Sequence, residues 1–328
     1  MKRAVFGRIA AGLIVLIAFV AVFQAFIDKD VAKEESFNHS FKDKYGIFAL
    51  QLPKQIDFAG EIVPLSNFDT RESLDRELLV NTYWQSQTLM FIKLSHRYFP
   101  LIEPILKEHN IPDDFKYLVI AESGLRTGAR SPSGAVGFWQ FLKGTAGDYD
   151  LEVSKEVDER YHIEKATHAA CGYLHDAYKK FGSWTMVAAS FNIGRTGLYR
   201  QIKRQHCNNY YDLLLPEETG RYVFRILAIK MILGDPQKYG FYVNNDQLYS
   251  PVPFYEVKVD TAVKSFAQFA THFETNYKIL KYLNPWLREN YLTNKKKRTY
   301  SIKIPEKGYR PLAPVVHTHE MDSVLSNN

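Results

Sequence analysis

From about Ser73 to Asn110 the chain reads LDRELLVNTYWQSQTLMFIKLSHRYFPLIEPILKEHN, with apolar residues recurring at three- and four-residue spacing. That period puts them on one helical face. IPDDFKYLVIAESGL then predicts a short helix, with Pro112 in its first turn and Asp113 and Asp114 near its positive end. After a Gly-rich loop, helices are predicted in IEKATHAACGYLHDAYKKFG, WTMVAASFNIG and TGRYVFRILAIKMIL, the last stopped by GDP. The pattern changes beyond Phe241. FYEVKV alternates as a strand, TAVKSFAQFATHF is an amphipathic helix, NYKILKYLNPWL is a second helix stopped at Pro285, and RTYSIKIP alternates again. The expectation is a mainly α protein, with a helical domain over residues 74–242, a small βααβ unit over 250–307 and a tail over 308–328.

The N-terminal pattern is different. Ile9 to Ile27 is uncharged and long enough to cross a hydrocarbon core as a helix. Lys2, Arg3 and Arg8 precede it and Asp-Lys-Asp follows, which places the N-terminus in the cytoplasm. Phe23 stands two positions before Ala25, a poor signal-peptidase site, and no cysteine follows for lipid attachment. Residues 1–27 are therefore expected to be an uncleaved transmembrane anchor, with a cleaved signal as the alternative, and either one exports the rest. Residues 28–73 begin as a polar, aperiodic spacer and continue as an extended, Pro-punctuated lead-in, QLPKQIDFAGEIVPLSNFD.

Composition refines this picture modestly. The 328 residues are 46% hydrophobic and 24% charged, as in a globular protein with a sizeable core. A net charge of +6 suits contact with an anionic polymer or membrane surface and does not by itself indicate nucleic acid. The run Lys295–Arg298 lacks interleaved aromatics and reads as a solvated turn. Cys171 and Cys207 either pair in an oxidising compartment or remain small buried thiols.

Candidate chemistry centres on Glu122, which follows the apolar run Leu118, Val119, Ile120 and Ala121. A carboxyl in such surroundings loses hydration of its charged form, so its pKa rises and it suits a proton donor near neutral pH. A surface glutamate at a helix end, or one paired with Arg126, would leave the same sequence.

Four ordered elements go further: Glu122-Ser123; Gly137-Phe138-Trp139-Gln140; Ser190-Phe191-Asn192 with Gly194; and Tyr222 within ETGRYV. In this order they resemble the family 1 lytic transglycosylases, whose catalytic domain is soluble-lytic-transglycosylase (goose-lysozyme-like), and especially the membrane-bound D branch. The resemblance covers roughly Leu74 to Phe241. It implies a lysozyme-like helical catalytic domain that cleaves peptidoglycan between N-acetylmuramic acid and N-acetylglucosamine without a metal or organic cofactor. It also implies that Glu122 is the sole general acid and base. Most glycosidases need a second carboxylate. By the same resemblance the 6-hydroxyl of muramic acid is expected to replace it and leave a 1,6-anhydro end.

The resemblance further places Ser123, Gln140, Asn192, Tyr222, Trp139 and Phe191 along the glycan cleft. Amides at Gln140 and Asn192 suit acetamido and hydroxyl groups. Trp139 offers either an apolar face to sugar or a core aromatic, and Tyr222 holds the Glu122 carboxyl, an acetamido group or only the core. Gly134 and Gly137 are expected to let the loop turn tightly and let sugar approach the backbone. Phe191 stands where the family usually has Tyr, and Leu142-Lys143 replaces the usual Met-Pro. Asp148, Asp150 and Asp158 are the nearest carboxylates in sequence, and Asp158 reads as a helix cap.

The C-terminal unit resembles a LysM module, with Val259-Asp260-Thr261 where Gly-Asp-Thr is usual. It serves either glycan binding or structure. If it binds glycan, a chain ending near Phe241 is expected to keep its chemistry on short soluble glycans and to hold sacculi more weakly. The expected location is the periplasmic face of the inner membrane, with peptidoglycan strands and the membrane as partners and no nucleic acid. A hydrolytic muramidase of the same fold and an inactive wall-binding scaffold are the alternatives.

Overall fold

The computed structural model describes Gln24 and residues 46–310. The segment Ile9–Ile27, expected to be an anchor, lies outside the described residues except for Gln24. No helix among the described residues is long and apolar enough to cross a membrane.

The helical part opens with a small antiparallel hairpin, β1 (Asp57–Phe58) and β2 (Glu61–Ile62). Its Phe58 is fully buried, 5.4 Å from the Phe115 ring. Helix α1 (Phe68–Tyr83) starts ahead of the Ser73 onset that the periodicity marks, and α2 (Gln85–Glu108) follows after a break at Trp84. Trp84 leaves the helical region with ψ 58°, while the Thr88 hydroxyl donates to the Asn81 carbonyl across the break. Pro100 and Pro104 lie inside α2. The helix survives them because Phe91, Ile92, Tyr98, Ile102, Ile105 and Leu106 anchor it in the core, and packing overrides the local penalty.

Then come α3 (Phe115–Ser123), α4 (Lys143–Asp148), α5 (Ile163–Phe181), α6 (Trp184–Ile193), α7 (Arg195–Gln205) and α8 (Glu217–Gly234). Helix α8 is the hub, packed against α1, α3 and α6. Its run Val223, Phe224, Ile226, Leu227, Ala228 and Ile229 is buried nearly all round, as a central helix requires. Two long-range charge contacts fix neighbouring helices. Glu61 accepts hydrogen bonds from the Trp184 and Thr185 N–H groups (2.6 and 2.9 Å) and from the Ser183 and Thr185 hydroxyls, so a carboxylate sits on the positive end of α6. Asp114, at the start of α3, accepts from Lys230 and from the Ala59 N–H, both at 2.7 Å.

The C-terminal unit has the expected order: β3 (Phe254–Val259), α9 (Phe266–His272), α10 (Tyr277–Leu283) and β4 (Tyr300–Pro305). The strands are antiparallel, Phe254 opposite Pro305 and Val259 opposite Tyr300. Buried Asn284, just past α10, bonds Lys303 through both its amide nitrogen (2.7 Å) and its oxygen (2.8 Å), stapling helix to strand.

This unit is not an independent bead. Its core of Phe266, Leu280, Trp286, Leu287, Ile302 and Ile304 also contains Val136, Val157 and Tyr161 of the helical part. The Asp158 N–H donates to the Trp286 carbonyl (2.9 Å), the Arg288 N–H to the Glu156 carbonyl (2.7 Å), and the Arg288 guanidinium lies 4.1 Å from the Tyr161 ring centre. Arg298 and Tyr300 bond Glu152, and Lys303 pairs with Glu164. Arg298 of the basic run is thus an interface residue, whereas Lys295, Lys296 and Lys297 are exposed. Both cysteines are free thiols: Cys171 is buried in α5 and Cys207 is partly exposed.

Candidate active site

Helix α3 is short and nearly all apolar, with Phe115, Leu118, Val119 and Ile120 buried in the core. Glu122 occupies its last turn. Gly124 (φ 59°) and Leu125 (φ 57°) then turn the chain away in the left-handed conformation. Glu122 keeps part of its surface open but is crowded by protein on most sides. Burial pushes its carboxyl up to about 7, against the Tyr222 hydrogen bond and the Arg225 charge, which pull it down. The negative end of α3 acts in the same direction as burial.

Tyr222, 1% exposed, comes from α8 and donates its hydroxyl proton to Oε1 of Glu122. Burial and the Glu122 carboxyl hold the phenol far above its ordinary range, so it remains a donor. Because Oε1 is taken, Oε2 is the oxygen left for proton transfer. Arg126 does not pair with Glu122; its Nε donates to the Ser123 carbonyl at 3.1 Å.

Around this pair α8 arranges charge that the sequence did not single out. Glu218 influences Glu122 through space, yet both its oxygens are held by Arg225 (2.8 and 3.2 Å). Glu77, buried on α1, accepts from Arg221 at 2.6 Å and lies 3.6 Å from Arg225. Positions 218, 222 and 225 are spaced to share one helical face, a signal visible in EETGRYVFR only once α8 is known to face the site.

Asn192, in the last turn of α6, accepts from the Thr219 hydroxyl at 2.8 Å through Oδ1, which leaves its NH2 as the outward donor. Phe191 beside it packs against Trp139, Phe141 and Tyr173, with ring centres 6.0, 6.0 and 5.1 Å apart. These rings attach the loop over residues 129–142 to α6. In that loop Gln140 adopts φ 48°, unusual for a side-chain-bearing residue, and its Nε2 donates to the Gly137 carbonyl at 2.7 Å. Its amide oxygen is left as an acceptor. The contacts thus run from Gln140's loop through Phe191 and Asn192 to Thr219, Tyr222 and Glu122.

Two expected cleft residues are placed elsewhere. Trp139 has no accessible surface; its indole N–H donates to Thr167 at 2.9 Å, and it backs the loop from within the core. Ser123 is 2% exposed, donates to the Val119 carbonyl and accepts from the Leu125 N–H, closing the end of α3. Both lie beside partly exposed residues in sequence, Glu122 and Gln140, yet their own side chains turn inward. Gly137 also departs from expectation. Its φ is 78°, and a Cβ there would meet the Arg160 carbonyl oxygen at 1.9 Å, so protein backbone rather than sugar makes the close approach. Arg160 is bound to Asp158 (2.7 and 2.9 Å) and donates to the Gly134 and Phe141 carbonyls, clamping the loop from both sides. Asp158 also accepts from the Arg160 N–H, the capping role read from sequence, while Asp148 and Asp150 are exposed.

Gly137→Ala is therefore expected to destabilise the protein by about 3 kcal/mol, since a left-handed φ and a backbone collision coincide. Chemical denaturation measures this. Retention of full stability would mean that Arg160 and the loop separate freely.

Residues 100–213 match the transglycosylase SLT domain family, and residues 255–308 match the soluble lytic transglycosylase C-terminal LysM-like domain family. Membrane-bound lytic murein transglycosylase D of Escherichia coli (strain K12) is 30% identical over 175 residues, 52% of this chain and 38% of that protein. The chain thus spans well under half of that relative's length. Among solved structures, lytic transglycosylase Slt from Pseudomonas aeruginosa, in an inactive mutant form, is 16% identical over 47% of this chain and 26% of that one, with a TM-score of 0.34. The 70 kDa soluble lytic transglycosylase Slt70 from Escherichia coli is 17% identical over 57% and 34%, with a TM-score of 0.38. Glu122, Gln140 and Asn192 fall within the first matched stretch and Tyr222 lies beyond it. The helical part is therefore similar to the transglycosylase SLT domain, and the C-terminal unit to the soluble lytic transglycosylase C-terminal LysM-like domain.

Proposed function

We propose that the protein is a lytic transglycosylase that cleaves the peptidoglycan glycan strand, with Glu122 as its single general acid and base. The observation that carries this reading is the crowded Glu122 carboxyl, raised to about 7 and hydrogen-bonded by Tyr222. Protonated Oε2 gives its proton to the glycosidic oxygen between N-acetylmuramic acid and N-acetylglucosamine as the bond from the anomeric carbon breaks. The 6-hydroxyl of the same muramic acid then attacks that carbon, and ionised Glu122 takes the hydroxyl proton. The acid is regenerated and the product end is a 1,6-anhydro sugar.

A tethered nucleophile has an effective concentration far above that of any free reactant. A second carboxylate is then unnecessary, which agrees with Glu218 being held on both oxygens by Arg225. Thr219 orients Asn192 to donate to a sugar carbonyl or hydroxyl, and Gln140 presents an acceptor. Phe191 contributes packing where a hydroxyl would otherwise stand. The Escherichia coli relative is a membrane-bound transglycosylase by name, and with Ile9–Ile27 this supports a location at the periplasmic face of the inner membrane.

Mass spectrometry of products released from purified sacculi tests the reading. Muropeptides with anhydro ends, one water lighter than the hydrolysed form, are expected. Reducing ends as the main product would mean that water attacks, and no soluble product would leave a wall-binding protein.

The acid must be protonated in the free enzyme, so kcat/KM is expected to fall as pH rises through about 7. Tyr222 stabilises the ionised carboxylate, so Tyr222→Phe raises the Glu122 pKa and moves this falling limb to higher pH. A pH–rate profile of the two proteins checks the sign; a limb displaced to lower pH would contradict it.

A further inference from the structure

Away from the cleft, the end of α2 meets the first half of α5 at Glu108, His109 and His168. Nε2 of His109 and Nδ1 of His168 are 2.8 Å apart, and the rings stand at 75° with centres 5.0 Å apart. One oxygen of Glu108 completes a set in which all ligating atoms lie within 4.8 Å of one another. We propose that this His-His-Glu cluster binds one divalent transition-metal ion of the zinc class and so fastens α2 to α5.

Several features argue for an ion. The two ring nitrogens face each other at 2.8 Å, so their lone-pair directions converge on one small volume. A metal ion accepts both lone pairs at once, and the Glu108 carboxylate offsets its charge. Two imidazoles and one carboxylate form a borderline donor set that favours zinc or copper(II) over magnesium or calcium, which take oxygen ligands. At zinc–nitrogen bonds of about 2.05 Å, a tetrahedral site separates its nitrogens by about 3.3 Å, so the rings must part by about half an ångström.

Side-chain rotation supplies that much, because Glu108 and His168 are exposed and His109 is half-buried. The backbone is already set. The His109 N–H bonds the Ile105 carbonyl at 3.1 Å, and the His109 carbonyl accepts from Nε2 of His175 at 2.7 Å. Such an outer contact holds a ligand-bearing turn in place. Three protein ligands leave a fourth position to water.

The site would act on the scaffold and not on the reaction. His168 follows Thr167, the partner of the Trp139 indole beneath the 129–142 loop. His109 precedes Ile111, whose N–H closes the α2 turn that leads into α3 and Glu122. A metal ion here would stiffen two helices that support the acid and its loop, whatever the enzyme's substrate.

The test uses the full chain stripped with chelator, in a His317→Ala/His319→Ala background so that the His-Thr-His of the C-terminal tail does not contribute. Isothermal titration with zinc chloride is expected to show one site in the micromolar range, and zinc is expected to raise the unfolding midpoint while magnesium does not. His109→Ala and His168→Ala, at accessible positions that Ala tolerates, should each weaken binding at least about tenfold and abolish the midpoint rise. Absence of zinc binding, equal binding in either variant, or the same midpoint rise with magnesium would each overturn the proposal.

Discussion

Glu122→Gln is expected to abolish glycan cleavage and, at the same time, to stabilise the protein above neutral pH. The amide keeps the shape and still accepts the Tyr222 hydroxyl, but it has no proton to give or take. General acid–base catalysis contributes a factor of about 100 to 10,000, and in the proposed mechanism one group serves both half-reactions. The stability effect follows from the raised pKa. The protonated carboxyl is preferred in the folded state, and that advantage is complete below the unfolded value near 4.5 and lost as pH rises through about 7. A rise from 4.5 to about 7, at roughly 1.4 kcal/mol per pH unit, leaves the ionised form about 3.5 kcal/mol worse off. Gln does not titrate, so its unfolding midpoint should exceed that of the parent at pH 8 and match it near pH 4.5. Soluble products from Glu122→Gln, or a lower midpoint at pH 8, would remove Glu122 from its role.

Ending the chain after Phe241 is expected to cost far more than wall binding. The cut exposes Val136, Val157 and Tyr161, which lie in the core of the C-terminal unit at 4%, 1% and 5% exposure. Each buried side chain of this kind contributes about 1.5–3 kcal/mol, an upper estimate because the unfolded chain is not fully extended. The cut also frees the Asp158 N–H and the Glu156 carbonyl, beside the Arg160 clamp on the 129–142 loop. The shortened chain should unfold at least about 10 °C lower, since 1 kcal/mol moves the midpoint of a domain this size by about 2–4 °C. It should also lose turnover on short soluble glycans. Unchanged midpoint and turnover with weaker sacculus pelleting would restore the view of a detachable binding module.

The contrast between these two variants marks what the sequence made legible. Glu122 could be found because burial leaves a local trace, four apolar residues before a lone carboxylate. The helices over 115–123, 163–181 and 217–234 and the βααβ order were legible for the same reason: periodicity and Gly or Pro stops are local. The break at Trp84 was not, because apolar spacing continues across it, and neither was α2's passage through two prolines, which only tertiary packing permits. The shared core was hidden because Val136 reads as a loop residue, and its partners stand more than 100 positions away. Trp139 and Ser123 show the limit of motifs, which name neighbours in sequence without saying which way each side chain points.

The Glu61 carboxylate on the start of α6 bears on the order in which the chain acquires its structure. Its acceptor contacts span 122–124 residues, so the hairpin must wait for a segment synthesised much later. Closing a loop of that length is entropically unfavourable before the intervening helices have collapsed, and such contacts form late. Until then the α6 N–H groups and the Glu61 carboxylate are both solvated. The bond then acts as a latch on a nearly finished fold, setting how slowly the protein comes apart more than how quickly it assembles.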